Sequence, residues 1–284
     1  MDSGQETIDL RQPLPEGPIH PGSGRRRFEW RKVFAPFGAA ALVAAKFAAK
    51  LKALLLLLPK IKLFSTAGTM LVSIAAYSLI WGWKFAIGFV ALLFVHAMGH
   101  VIQLRREGLA ASAPMFIPFM GAVIWAKSLG DNAAAEARVG LAGPILGSLG
   151  AAALIPIADA TGNDLFRALA FTGFFLNLFN LLPVVPLDGG RAMAALSPWM
   201  WFVGFAGLVA LAVAFPNPII LLILLFGAME TWRRWKERNS PEAREYYRVS
   251  PRTRLLVAAV YLGLIVLLSL GMAETHIERS LSDA

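Results

Sequence analysis

From residue 63 to residue 272 the chain alternates apolar runs approaching 20 residues with short breaks rich in proline, glycine or charge. An α-helix rises 1.5 Å per residue, so a run of this length matches the roughly 30 Å hydrocarbon core of a bilayer. Every backbone polar group in that core must be bonded within the protein, which leaves few architectures. The expected fold is an all-α polytopic membrane protein with about six to seven transmembrane helices. Spans are expected at about 63–82, 84–104, 135–158, 165–187, 199–215, 217–232 and 255–272. Composition agrees, with 57% hydrophobic and 16% charged residues among 284.

One apolar stretch cannot be a span. Residues 112–127, SAPMFIPFMGAVIWAK, are too short to cross, and Pro114, Pro118 and Gly121 break any helix. The flanking β-branched and aromatic residues point to an extended β-hairpin or a re-entrant loop. Such backbone is tolerated at membrane depth only where protein covers it or it lines a cavity. Phe116, Ile117, Pro118, Phe119 and Gly121 are therefore candidates to line a substrate groove.

The rest of the chain divides by charge. Residues 1–32 are polar, proline-rich and basic, with no early apolar core of a signal peptide, and read as a disordered cytoplasmic arm. Residues 33–62 carry long apolar stretches interrupted by Lys46, Lys50, Lys52, Lys60 and Lys62. Burying these lysines in a span would cost a few kcal/mol each. An amphipathic helix lying on an anionic leaflet avoids that cost. Residues 63–232 form the membrane core, 233–254 a basic cytoplasmic segment, and 255–284 a final span with a short tail.

With the N-terminus in the cytoplasm, 23 of the 27 lysines and arginines fall on the cytoplasmic side, and Lys84, Arg167 and Arg279 on the other. The net charge of +9 thus reports orientation in a membrane, probed by a lipid surface, and not nucleic-acid binding. The expected location is the cell (inner) membrane.

Within this frame, FVHAMGHVIQ (94–103) places His96 and His100 four residues apart in a span. Residues i and i+4 share a helix face, about 6 Å apart along the axis. Two imidazoles so placed suit one metal ion. The competing readings are two polar residues bonded within a bundle, and axial ligation of haem. Adjacent turns of one helix cannot serve both faces of a porphyrin. The chain has no cysteine, so a metal must use nitrogen and oxygen. Asp188 follows Pro183 and Pro186 and precedes Gly189 and Gly190, where a helix must break. Its carboxylate either turns inward as a third ligand or caps the following helix. The topology brings His96, His100 and Asp188 to the cytoplasmic ends of two spans running in the same direction. Three nitrogen and oxygen ligands with one open position is the pattern of catalytic Zn²⁺. Ionisable groups at membrane depth are functional by default, although ion passage in a transporter or channel would use the same residue types. Such a transporter is expected to show repeated halves, and the sequence has no internal repeat.

These residues carry a resemblance. HAMGH in place of HExxH, FNLLPVVPLDGGR (179–191) in place of N-x-x-P-x-x-P-L-D-G, and the hairpin between them resemble the site-2 proteases, intramembrane zinc metalloproteases that cut within or near transmembrane helices. The resemblance covers about residues 63–235 and implies a minimal form without PDZ-like or CBS-like domains. It implies His96, His100 and Asp188 as zinc ligands, Asn180 as a group that polarises the substrate carbonyl or steadies the oxyanion, and a transmembrane protein as substrate. Asn180 can equally bond freed backbone near Pro183.

The departure is Ala97, which stands where the family has its general-base glutamate. A methyl group exchanges no proton. Glu107 lies in a charged patch and is expected to be solvated. Glu136 could face inward, but nothing in the sequence aims it at the metal. Ala97 marks either an engineered knockout of the catalytic glutamate, made to trap substrate or stop self-cleavage, or a natural pseudoprotease that binds single-span proteins without cutting them. The other site residues are intact, which favours the first.

Overall fold

The computed structural model describes residues 66–197 and 199–277. The arm at 1–32, the stretch at 33–62 and the tail end beyond residue 277 lie outside the described residues. The described elements are α1 (Thr66–Trp81), α2 (Trp83–Arg106), β1 (Met115–Ile117), β2 (Gly121–Val123), α3 (Ala133–Ala152), α4 (Leu154–Thr161), α5 (Asp164–Asn180), α6 (Asp188–Leu196), α7 (Met200–Ala214), α8 (Pro218–Glu237), α9 (Pro241–Tyr246) and α10 (Pro251–Thr275).

Local sequence accounts for many of these boundaries. The side chains of Asn132, Asn163, Asn217, Ser240 and Ser250 accept hydrogen bonds from backbone N–H groups of the first turns of α3, α5, α8, α9 and α10. Each satisfies a donor that the helix itself cannot. Proline follows the cap in α8, α9 and α10, where its missing N–H costs nothing.

Three helical stretches are long and apolar enough to cross a membrane: α2, α3 with α4 (Ala133–Thr161), and α10. They associate the chain with a membrane. α1 and α7 are apolar but have 16 and 15 residues. Two expected spans are corrected in shape. The fourth, expected to run to residue 187, ends as a helix at Asn180, because Pro183 and Pro186 permit no continuation. The third divides at Ala153 into α3 and α4, while Pro144 stays inside α3.

α3 is the hub. It packs against α2, α5, α6 and α10. A core of Leu141, Phe174, Met193, Trp201, Tyr261 and Leu268 fills the space among α3, α5, α6, α7 and α10. A second core, with Tyr77, Phe89, Leu93 and Phe116, joins α1, α2 and the hairpin. By contrast, Leu255, Leu256, Leu262, Val266, Leu267 and Leu270 of α10 are exposed. An exposed apolar flank of that extent calls for a non-aqueous neighbour.

The expected hairpin is present. β1 and β2 pair antiparallel, Phe116 opposite Ala122. α1 holds it from one side through two hydroxyls. The Phe116 N–H donates to Thr69 Oγ1 (3.1 Å), and the Phe119 N–H donates to the Tyr77 hydroxyl (2.9 Å). Thr69, Ser73 and Tyr77 fall four residues apart, so all three lie on the buried face of α1.

Candidate metal centre

Helical spacing alone puts the rings of His96 and His100 on one face of α2, with centroids 4.9 Å apart. The third group comes from far along the chain. The loop after α5 turns at Pro183 and Pro186 and delivers Asp188 as the first residue of α6. Asp188 Oδ2 lies 3.2 Å from His96 Nε2 and 3.3 Å from His100 Nε2, and the two Nε2 atoms are 3.1 Å apart. All three residues are buried.

The partners of the other ring nitrogens decide what these atoms can do. His100 Nδ1 lies 2.8 Å from the Val139 carbonyl of α3, which can only accept. His96 Nδ1 lies 2.8 Å from Asn177 Oδ1. The amide nitrogen of Asn177 donates to the Gly173 carbonyl (2.7 Å), which leaves Oδ1 as the acceptor. Both rings therefore carry hydrogen on Nδ1 and, when neutral, present a lone pair at Nε2. Two lone pairs and a carboxylate oxygen thus converge in a buried space. Three acceptors at this distance repel unless a cation binds them. Tetrahedral zinc with bonds of about 2.0–2.1 Å separates neighbouring ligand atoms by about 3.3 Å. The observed triangle of 3.1–3.3 Å fits that requirement. His96, His100 and Asp188 form the one group among the described residues whose ligand atoms approach closely enough to hold a metal ion.

Two glycines of α3 make room for this arrangement. A methyl group on Gly143 would overlap the imidazole of His100, and one on Gly147 would overlap the side-chain amide of Asn177. This glycine face of α3 is thus a wall of the site. It lets one ligand ring and the residue that orients the other lie against backbone.

Ala97, beside His96, is buried. The Asn180 amide donates to the Leu176 carbonyl of its own helix (3.0 Å). Asn177, one turn earlier and not singled out from the sequence, is the amide that reaches His96. A polar residue inside the apolar run of α5 was the available signal, but Asn177 and Asn180 share it. Phe116 and Pro118 are buried, while Ile117, Phe119 and Gly121 are half-buried. Phe116 packs inward near Phe94, and Phe119 stacks edge-on against Tyr77.

The two acids weighed from the sequence, Glu107 and Glu136, are both engaged. Glu107 is not freely solvated as expected: Arg138 donates to both its oxygens (2.7 and 2.8 Å). That guanidinium holds the Glu107 carboxyl below its usual range, helped by the Gln103 amide, while partial burial works the other way. Glu136 is 1% exposed, and its oxygens accept from Arg234 and from the Tyr246 hydroxyl.

No family model matches the chain. It is similar to zinc metalloprotease MJ0392 of Methanocaldococcus jannaschii, 26% identical over 162 residues. The match covers 55% of this chain and 46% of that protein, so the similarity spans about half the length of the relative.

Proposed function

We propose that the chain is a zinc metalloprotease of the site-2 type, acting on membrane-spanning proteins, in which Ala97 removes the general base. The observation that carries this reading is the triangle of His96 Nε2, His100 Nε2 and Asp188 Oδ2, with both imidazoles fixed through Nδ1. The similarity to a zinc metalloprotease supports it from an independent direction.

When bound, zinc supplies a Lewis acid between the three donor atoms. The chain does the rest. Asn177 and Val139 hold the two rings with their lone pairs forward, and Asp188 offsets the cation's charge in a buried place. Residue 97 stands beside His96 with a methyl group that neither takes nor gives a proton. General acid–base catalysis typically supplies about 10²–10⁴-fold, so this copy is inactive or strongly impaired. Asn180 remains a proposed contact to the substrate carbonyl.

The hairpin is the proposed docking strand for an extended substrate segment, by strand addition. The N–H groups of Phe116 and Phe119 are already given to α1, so the addition is assigned to β2, which packs along α2. We place the chain in the cell membrane with six to seven spans, the N-terminus in the cytoplasm and the site near that side. The basic ends of α2 (Arg105, Arg106) and α8 (Arg233, Arg234, Lys236) support that orientation.

Ala97 itself favours a second reading, a pseudoprotease that retains a single-span protein without cutting it. One experiment separates the two. Purified protein is assayed for zinc, with Asp188→Ala as control, and Ala97→Glu is reconstituted with membrane-spanning substrates. Zinc at about one per chain, lost in Asp188→Ala, with cleavage gained in Ala97→Glu, supports the protease. Zinc without any gain of cleavage, with a partner retained, supports the binder. No zinc in the parent protein sinks both.

A further inference from the structure

The helix that fixes His100 from outside α2 and the helix that carries Asp188 are tied together by one cation. Val139, whose carbonyl fixes His100, lies three residues beyond Glu136 on α3. Glu136 accepts from Arg234 Nη2 at 2.7 Å and from Nη1 at 3.2 Å. The Arg234 guanidinium also lies over the ring of Trp201, 5.1 Å from its centroid. The indole N–H of Trp201 in turn donates to the Gly190 carbonyl at 2.8 Å, two residues after Asp188. Trp201 and Glu136 are both almost fully buried. Arg234 Nε is bonded to Glu230 (2.7 Å) and the second oxygen of Glu136 to Tyr246 (2.7 Å), so the cation cannot turn away from this position without leaving partners unbonded.

From this closed path we propose that Arg234 is a positioning residue for the metal site. It couples α3, which holds His100, to α6, which carries Asp188. It touches no ligand. Its effect passes to His100 through Glu136 and α3, and to Asp188 through Trp201 and the Gly190 carbonyl. A planar fork over an indole is work for arginine: lysine keeps the charge but neither the paired bonds nor the stack. Outer partners that orient metal ligands typically carry 10–100-fold in metal affinity. The neighbouring Arg233 makes a useful control: it shares Glu230 with Arg234 and pairs with Glu237, but among the described residues it bonds neither Glu136 nor Trp201.

This inference rests on the proposed metal site, and the test keeps the two apart. Zinc affinity of the full chain in detergent is measured by competition with a chelator, for the parent, Arg234→Met, Arg234→Lys, Trp201→Phe and Arg233→Met. Cobalt is then substituted and its visible absorption recorded, since band intensity reports coordination geometry. Arg234→Met and Trp201→Phe are expected to weaken zinc at least tenfold and to alter the cobalt bands. The double variant should lose little more than either single one, because both lie on one path. Arg234→Lys should not restore affinity, and Arg233→Met should match the parent. Parent-like affinity and cobalt spectrum in folded Arg234→Met, with only a lower melting temperature, would assign the network a structural role and overturn the proposal. If Arg234→Met does not fold, Trp201→Phe decides alone, and affinity within twofold of the parent overturns it. A parent that binds no zinc overturns the metal reading first.

Discussion

His96 and Asn177 are 81 residues apart in the chain and share a 2.8 Å hydrogen bond inside the protein. This contact settles which ring nitrogen of His96 faces the other ligands. It ties α2 to α5 at the depth of the site.

Asn177→Leu removes the acceptor while keeping a similar volume. Zinc affinity is expected to fall about 10–100-fold, the range seen when an orienting partner of a metal-bound histidine is lost. Asn180→Leu should hold affinity within about twofold of the parent, since the Asn180 amide bonds its own helix. Chelator competition checks both, and equal losses in the two variants would refute the special place of Asn177.

Gly143→Ala and Gly147→Ala each drive a methyl group into a side chain of the site. Overpacking of this kind destabilises by about 1–3 kcal/mol. Zinc uptake should fall with it, because the displaced atoms are the His100 ring and the Asn177 amide. Gly207, on the exposed face of α7, has open space where a side chain would go, and Gly207→Ala should change stability by less than about 1 kcal/mol. Thermal unfolding in detergent together with metal content is the measurement. Normal zinc content in both α3 variants would contradict the steric account.

Tyr77→Phe keeps the ring against Phe119 and removes the hydroxyl that accepts the Phe119 N–H. One such bond is worth about 0.5–1.5 kcal/mol. Its loss should appear locally, because the hairpin is short and, among the described residues, forms a sheet of two strands. Hydrogen exchange across residues 115–123 is expected to speed up by about 2–10-fold, with exchange in α2 and zinc affinity unchanged. Unchanged exchange in the hairpin would show that α1 does not hold it through this bond.

Much of the site was legible because its signals are local. His96 and His100 lie on one face for reasons of helical pitch alone. The proline and glycine pattern around Asp188 breaks a helix wherever it occurs. The failure of residues 112–127 to form a span follows from the same short-range chemistry. What escaped the sequence was long-range. Asn177 and Asn180 have the same chemistry, three residues apart on one helix, and only packing turns one of them toward α2. Glu107 and Glu136 read as a solvated acid and an unaimed one until Arg138, Arg234 and Tyr246 arrive beside them.

The sequence by itself determined that apolar runs of membrane-crossing length recur along the chain, that two imidazoles share a face, and that residue 97 has no proton to exchange. These are properties of covalent geometry and side-chain chemistry within a few residues. Only the tertiary structure decided that Asp188 closes on those imidazoles, that Asn177 and Val139 set their tautomers, and that Gly143 and Gly147 make the space. Those facts depend on how helices from distant parts of the chain pack, and close packing is a property of the assembled core that no single segment carries.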